Sequence, residues 1–459
     1  MPKVLLLNPP GDRIYLRDSY CSKVSKAAYL TPPMDLLAIS GYLPAKHQLS
    51  VLDAMAHRLS GGQALAAAEA LAPDFVISLI GLASLENDLE FFGRLREKLP
   101  RARLAVSGDA GFEGTEGLLR ANPAVDAVLT DYSSRAWLPA LDGDWEGAAD
   151  LSFIEQGRFV SRRSPAVREF SLGVPRLELF PHRKYRMPFA RQLPYAGVAT
   201  DFGCPFKCDF CLSGQLPHKL RPVTEVLEEL EHIKRLGVKY FSFGDQTFGA
   251  VRERTEELLE GMDARNIDLP WGCFSRADLL RPEMVSRLKR SGCDLVMIGV
   301  ESGSQEILDR HHKGLRLEEV RQAFALCRRA GIRTLATFIV GLPGETRETF
   351  VRTLSLALEL DPDFASFNLP VAKPLTPLRR EAAGQGWLSP GGGDQSTGSN
   401  IRAGGNSPEL MGRWQNEALR RFYLRPGYWA RRLSDIRSPA ELAINLREAW
   451  AMLGRGRPR

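Results

Sequence analysis

Apolar and polar positions over the first 145 residues fall into an alternating rhythm. Short, nearly continuous apolar runs occur at Lys3–Asn8, Leu49–Asp53, Phe75–Ile80, Leu104–Ser107 and Val125–Leu129, with longer stretches of helical character between them at Met34–Leu43, Gly62–Leu71 and Leu85–Leu99. Such runs are what a strand buried on both faces requires, and strands alternating with helices predict a parallel sheet covered on both sides. Sheets of this kind bind ligands beyond the carboxyl ends of their strands. The candidate loops are therefore Asn8–Arg13, Asp53–Met55, Gly81–Asn87 and Ser107–Gly111.

Gly143–Tyr195 is irregular, polar and rich in proline and arginine, and reads as a connector. A second alternating series follows. Its candidate strands are Ala196–Thr200, Tyr240–Gly244, Gly272–Ser275, Leu295–Glu301, Arg333–Val340 and Ala365–Asn368, with helices such as Val223–Leu236, Arg252–Arg265, Pro282–Ser291 and Leu317–Ala330. Six β/α units fall short of the eight of a closed barrel and predict a partial one, with its working loops on the carboxyl side. Gly384–Ser407, including Gly391-Gly392-Gly393, reads as a mobile loop or linker. A helical end carries Trp414, Phe422, Tyr423, Tyr428, Trp429 and Trp450. The expected fold is α/β: a doubly wound domain over 1–145, a connector over 146–195, a partial (β/α)6 barrel over 196–380, and a glycine-rich loop with a helical region over 381–459.

Composition adds limits. A chain of 459 residues with 44% hydrophobic and 25% charged residues suits two or three globular domains. No apolar stretch is long enough to span a bilayer, and the opening Met1-Pro2-Lys3 with its short run broken by Pro9-Pro10 does not resemble a leader. Seven cysteines form no paired framework, which with the lack of a leader predicts a reducing, cytoplasmic setting. Cys21, Cys273, Cys293 and Cys327 are scattered and are expected to serve packing. The net charge of +6 is concentrated from Ile401 onward, where twelve arginines face five acidic residues. A general nucleic-acid surface is therefore not expected.

The chemistry concentrates in Cys204-Pro-Phe-Lys-Cys208-Asp-Phe-Cys211. Three thiolates at this spacing can hold three irons of a cubane and leave the fourth open to a small molecule. The competing reading is a zinc loop, which needs a fourth ligand. The nearest candidate, His218, does not fit the common spacings.

This cysteine run, with Phe210 before its last cysteine, resembles the signature of the radical S-adenosylmethionine (SAM) superfamily. Residues 196–378 resemble its cobalamin-dependent branch through Phe243-Gly244-Asp245-Gln246, Ser275-Arg276-Ala277-Asp278, Gly299-Val300-Glu301-Ser302-Gly303 with Lys313-Gly314, and Phe338-Ile339-Val340-Gly341-Leu342-Pro343-Gly344-Glu345. The resemblance implies a [4Fe-4S] cluster on Cys204, Cys208 and Cys211, with SAM contacted by Phe210, Gly244, Asp245, Ser275, Arg276, Glu301, Val340 and Gly341. Asp245 would accept from the SAM ammonium, Arg276 would pair with its carboxylate, Glu301 would accept from the ribose, and 340–341 would hold adenine. The alternative for Arg276 and Glu301 is a mutual ion pair bracing two strands. Phe202, where relatives often carry arginine, and the rim Leu369–Pro377 depart from the pattern.

The first domain resembles the cobalamin-binding domain of that branch through Leu5-Leu6-Leu7-Asn8-Pro9-Pro10, Pro32-Pro33-Met34-Asp35, Val51-Leu52-Asp53 and Ser107-Gly108. Cobalamin is then expected near Asn8, Pro9, Pro10, Asp53, Ser84, Ser107 and Gly108. It would have no histidine ligand, because no Asp-x-His-x-x-Gly motif follows the first strand, and His47 and His57 are expected on a loop and a helix surface. The alternative is a doubly wound domain without cofactor.

Arg420–Tyr428 resembles the terminal helices of the anaerobic porphyrin-ester cyclase group. It is expected to cap the open barrel, with peripheral membrane contact as the other reading. The resemblance implies C-methylation of an unactivated carbon: one SAM generates the substrate radical, and another supplies the methyl group through cobalamin. A cyclase or rearrangement catalyst is the alternative, and a non-catalytic iron–sulfur or cobalamin carrier a further one. The expected partners are a natural-product or lipid-like small molecule and an electron donor such as flavodoxin or ferredoxin.

Overall fold

Continuous apolar runs become the central strands. In the computed structural model β1 (Lys3–Asn8) has Val4–Leu7 fully buried. It is flanked by β2 (Gln48–Asp53) and β3 (Phe75–Leu79), and β4 (Arg103–Ser107) and β5 (Ala127–Leu129) continue the sheet in parallel. Helices α1 (Met34–Tyr42), α2 (Gly61–Leu71), α3 (Leu85–Lys98) and α4 (Thr115–Ala121) complete the alternation. The order β2-β1-β3-β4-β5 reverses between β1 and β3, which is the switch point where such sheets bind ligands. The structure describes residues 1–444 except 21, 27–28, 390–392, 397, 404 and 437–440, so Cys21, Gly391, Gly392 and Trp450 lie outside the described residues.

Two compact units are present, and neither is continuous in sequence. The first holds Met1–Ser25, Tyr29–Met187 and Lys219–Leu236. This corrects the expected boundaries. The stretch read as a connector supplies β6 (Leu151–Glu155) and β7 (Arg158–Ser161), an antiparallel hairpin added to the sheet beyond β5. Its turn residues Gln156 and Gly157 have φ of +47° and +78°, both positive as a tight hairpin requires. The helix α5 (Val223–Arg235) also belongs to this unit. His57 is exposed as expected, whereas His47 sits on a turn with its side chain buried.

The second unit is a six-stranded parallel sheet in chain order: β8 (Tyr195–Val198), β9 (Tyr240–Phe243), β10 (Trp271–Ser275), β11 (Cys293–Glu301), β12 (Arg333–Ile339) and β13 (Phe364–Asn368). Consecutive order with intervening helices is the topology of a partial barrel. The helices are α6 (Arg252–Ala264), α7 (Pro282–Arg290), α8 (Gln305–Arg310), α9 (Leu317–Ala330), α10 (Arg347–Leu360) and α11 (Pro377–Gly384). The end of the chain forms α12 (Pro408–Tyr423) and α13 (Pro426–Ser434). Trp414 stacks on Phe350, and the Tyr423 hydroxyl and Gln415 amide bond the backbone of β13, so α12 packs on the last strand of the second unit.

The described part of the glycine-rich stretch is not a free linker. Asn400 accepts from the Ala372 amide, Asn406 donates to the Glu345 carbonyl, and Ile401 and Ala403 are buried. Among the described residues no helix is long and apolar enough to cross a membrane.

Candidate active site

The cysteine loop leaves the carboxyl end of β8 through a braced entry. Asp245, just past β9, accepts from the Thr200 amide (2.6 Å), the Asp201 amide (3.1 Å) and the Thr200 hydroxyl (2.6 Å). Arg254 of α6 donates to the Thr200 hydroxyl and carbonyl. At Gly203 φ is +77° and an added Cβ would lie 2.3 Å from the Pro217 carbonyl, so this turn admits only glycine. Asp245 was expected to face an ammonium; in the structure the bonds its carboxylate accepts come from the loop. Burial pushes it up to about 7 and the neighbouring Asp201 up to about 8.

Cys204 and Cys208 are buried and Cys211 is half-buried. Burial raises the Cys204 and Cys208 thiols, the latter to about 11 against the pull of Lys313 and Arg276. Bound iron would supply the positive charge that turns such thiols into ligands. The three sulfurs do not close around one point: among the described residues no three Cys, His, Asp or Glu side chains are grouped to hold a single ion. A cubane takes one thiolate at each of three corners, so a spread donor set on one loop fits it.

Behind the loop stands a cationic pair. Glu301 ends β11 with φ of +66°, next to a register shift at Gly299. Its carboxylate accepts from the Lys313 ammonium at 2.8 Å, and an added Cβ at Gly299 would strike both groups. Burial works against the Lys313 charge, but Glu301 and Cys208 outweigh it and hold the ammonium above the usual lysine range. Arg276 lies 3.9 Å over the Phe206 ring of the cysteine loop, forks to Asp278, and donates to the carbonyls of Lys313 and Gly314. The mutual Arg276–Glu301 pair is therefore not made; both residues meet on Lys313. Sequence reading noted Lys313-Gly314 only as part of a motif.

The other named positions sit on the same carboxyl rim. The Gly244 amide bonds Val198, the Ser275 hydroxyl bonds the Phe248 carbonyl, and the Val340 amide bonds Asn368. Phe210 packs against Ile307, Ile339 and Leu342 on one side and the Leu378 cluster on the other. Gly341 has φ of +98°, and its amide donates to buried Glu345, whose carboxyl burial pushes up to about 8.

In the first unit the named residues divide into three groups. Asn8, Pro9, Pro10 and Ser84 gather around Arg17, which sequence reading passed over. Its fully buried guanidinium pairs with Asp88 at 2.6 Å and donates to Asn8, Pro9 and Pro10. Ser107 donates to Asp35 at 2.9 Å. Gly108 is glycine for a different reason from ligand approach: φ is +146°, and a Cβ would meet the Ile80 carbonyl at 1.8 Å. Asp53 caps the following turn, accepting from Ala56, Asn8 and Tyr185. A small crevice opens at the switch point between Asn8, Tyr15, Arg17, Thr31, Met34 and Leu79. It is a narrow crevice with room for about one water-sized group, not a preformed small-molecule cavity.

Residues 200–357 match the family model of the radical SAM superfamily. Over 389 residues the chain is 26% identical to a protein of Pyrococcus horikoshii named an uncharacterized methyltransferase, covering 82% of each. It is 25% identical over 396 residues to the anaerobic magnesium-protoporphyrin IX monomethyl ester cyclase of Rubrivivax gelatinosus, covering 80% of this chain and 69% of the relative. Its fold resembles that of the radical SAM methyltransferase TsrM of Kitasatospora setae, solved with cobalamin and a [4Fe-4S] cluster. The TM-score is 0.67 at 18% identity, over 84% of this chain and 75% of TsrM.

Proposed function

We propose that this chain, whose residues 200–357 are a radical SAM domain, is a cobalamin-dependent radical SAM enzyme that methylates an unactivated carbon of a small molecule. The observation that carries the reading is the Cys204–Cys211 loop, packed against Arg276 and a buried Lys313–Glu301 pair on the carboxyl rim of the parallel strands.

Cys204, Cys208 and Cys211 would each hold one iron. SAM would lie along the rim from the open iron past Gly244, Ser275 and Glu301 to Val340 and Gly341, with Phe210 at its side. Asp245 and Arg276 then serve the site by fixing the loops, since their hydrogen bonds go to the chain itself. When bound, the reduced cluster supplies the electron that splits SAM into methionine and a 5′-deoxyadenosyl radical, and cobalamin carries the methyl group. Cobalamin would lie over the carboxyl ends of the strands at the switch point beside Asn8; TsrM was solved with both cofactors on a similar fold. The second reading, a radical cyclase, is favoured by the 25% identity to the ester cyclase of Rubrivivax gelatinosus over 80% of this chain.

The test is anaerobic reconstitution with iron, sulfide and hydroxocobalamin, followed by SAM, substrate candidates and reduced flavodoxin. We expect 5′-deoxyadenosine with S-adenosylhomocysteine; deoxyadenosine alone would favour cyclisation, and neither product would sink the proposal. Cys208→Ala should lose the brown cluster chromophore and at least about a thousandfold of SAM cleavage, because every later step needs that iron.

A further inference from the structure

The cysteine loop is tied to the loop after β12 by a side chain that no sequence motif pointed to. His311, directly after α8, is 1% exposed. Its Nδ1 lies 2.9 and 3.0 Å from the two carboxylate oxygens of Asp209, and its Nε2 lies 2.9 Å from the Pro343 carbonyl. The Asp209 amide donates back to the His311 carbonyl, and the Leu378 amide donates to that of Asp209. A carbonyl only accepts, so Nε2 carries a hydrogen and donates to Pro343, while Nδ1 faces the Asp209 carboxylate.

The two ends of this link are informative. Asp209 sits between Cys208 and Cys211, and Pro343 sits in the 340–345 loop with Val340 and Gly341. Phe210 of the first loop packs on Leu342 of the second and on Ile339 at the end of β12, so the link is reinforced by apolar contact. One rigid imidazole thus sets the distance between the loop that would hold iron and the loop that would hold adenine. A ligand that must reach both loops at once binds best when their spacing is fixed beforehand.

We propose that His311 is a positioning residue that fixes the cysteine loop against the 340–345 loop and thereby sets the affinity for SAM. This rests on the radical SAM reading. Glutamine in its place offers one amide group, which can bond Asp209 or Pro343 but cannot bridge them as the ring does.

The experiment uses the full chain with its cluster reconstituted anaerobically. We measure iron and sulfide content, SAM binding by equilibrium dialysis, and the change SAM causes in the electron paramagnetic resonance spectrum of the reduced cluster. For His311→Gln we expect unchanged iron and sulfide and a Kd for SAM raised about tenfold, the scale of one good hydrogen bond. The spectral change should need proportionally more SAM. Asp209→Asn should weaken binding less, and the double variant should be no weaker than His311→Gln alone, because both changes break one link. A Kd within twofold of the wild type for His311→Gln overturns the proposal. If that variant does not fold, an unchanged Kd for Asp209→Asn overturns it. A wild-type protein with a cluster but no SAM binding sinks the radical SAM reading itself, and this inference with it.

Discussion

At the residue scale, buried carboxyl groups set the chemistry of both units. Asp35 is 2% exposed, accepts from Ser19 and Ser107, and lies near Asp18 and Asp109. Burial, helped by those two neighbours, pushes it from its ordinary 3.8 up to about 7. An acid that binds its proton more tightly when folded adds stability that is complete below about pH 4 and is lost as pH rises through 7. The thermal midpoint of the first unit is therefore expected to be lower at pH 8 than at pH 5.5. Asp35→Asn, which keeps an acceptor for the two serines, should match the wild type at pH 5.5 and exceed it at pH 8. A pH series of melting curves for both proteins checks this, and identical slopes would contradict it. The cysteine loop was legible in the sequence because three identical ligands at close spacing declare themselves. Lys313, Arg17 and His311 were not, because their roles come from partners as far as 102 positions away that only the fold brings near.

At the element scale, every strand of both parallel series was legible to within a few residues, because buried strands write themselves as apolar runs. The β6–β7 hairpin was not, since its turn is Gln156-Gly157 rather than Asn-Gly and its strands are short and half polar. The glycine-rich stretch read as mobile by composition, yet Asn400 and Asn406 fasten it through side-chain bonds that composition does not reveal. Gly341 joins element to site. A Cβ there would lie 2.2 Å from the Met411 sulfur of α12, on top of a φ of +98°. Gly341→Ala is expected to destabilise the second unit by at least about 2 kcal/mol, combining the backbone cost with overpacking. Adding Met411→Ala should recover only the part due to the clash. Chemical denaturation of the single and double variants separates the two, and a neutral Gly341→Ala would show that the loop can shift without loss.

At the scale of the whole molecule, the interleaving of the two units has a consequence for how the chain can be divided. The first unit includes Lys219–Leu236, which begins 74 residues beyond the end at 145 expected from a linear reading. That segment is bound in by charge. Lys219 pairs with Asp131, and Glu225 accepts from the Ser171 hydroxyl and from the Leu172 and Gly173 amides. Arg221, fully buried, pairs with buried Glu229 and donates to the Gly173 carbonyl. A fragment ending at residue 195 would strip these partners from Asp131 and from the 171–173 backbone while leaving the sheet intact. We expect such a fragment to melt at least about 10 °C below the first transition of the full chain, several kcal/mol being the usual cost of breaking buried pairs in a domain of this size. In the full chain, Arg221→Ala should reproduce part of that loss, about 3 kcal/mol or more, because it leaves Glu229 buried without its counter-charge. Arg221→Ala combined with Glu229→Ala should lose less than Arg221→Ala alone, since no unpaired charge then remains. Were the 1–195 fragment to melt cooperatively at the full-chain temperature, the segment would be a passenger of the first unit rather than a part of its fold.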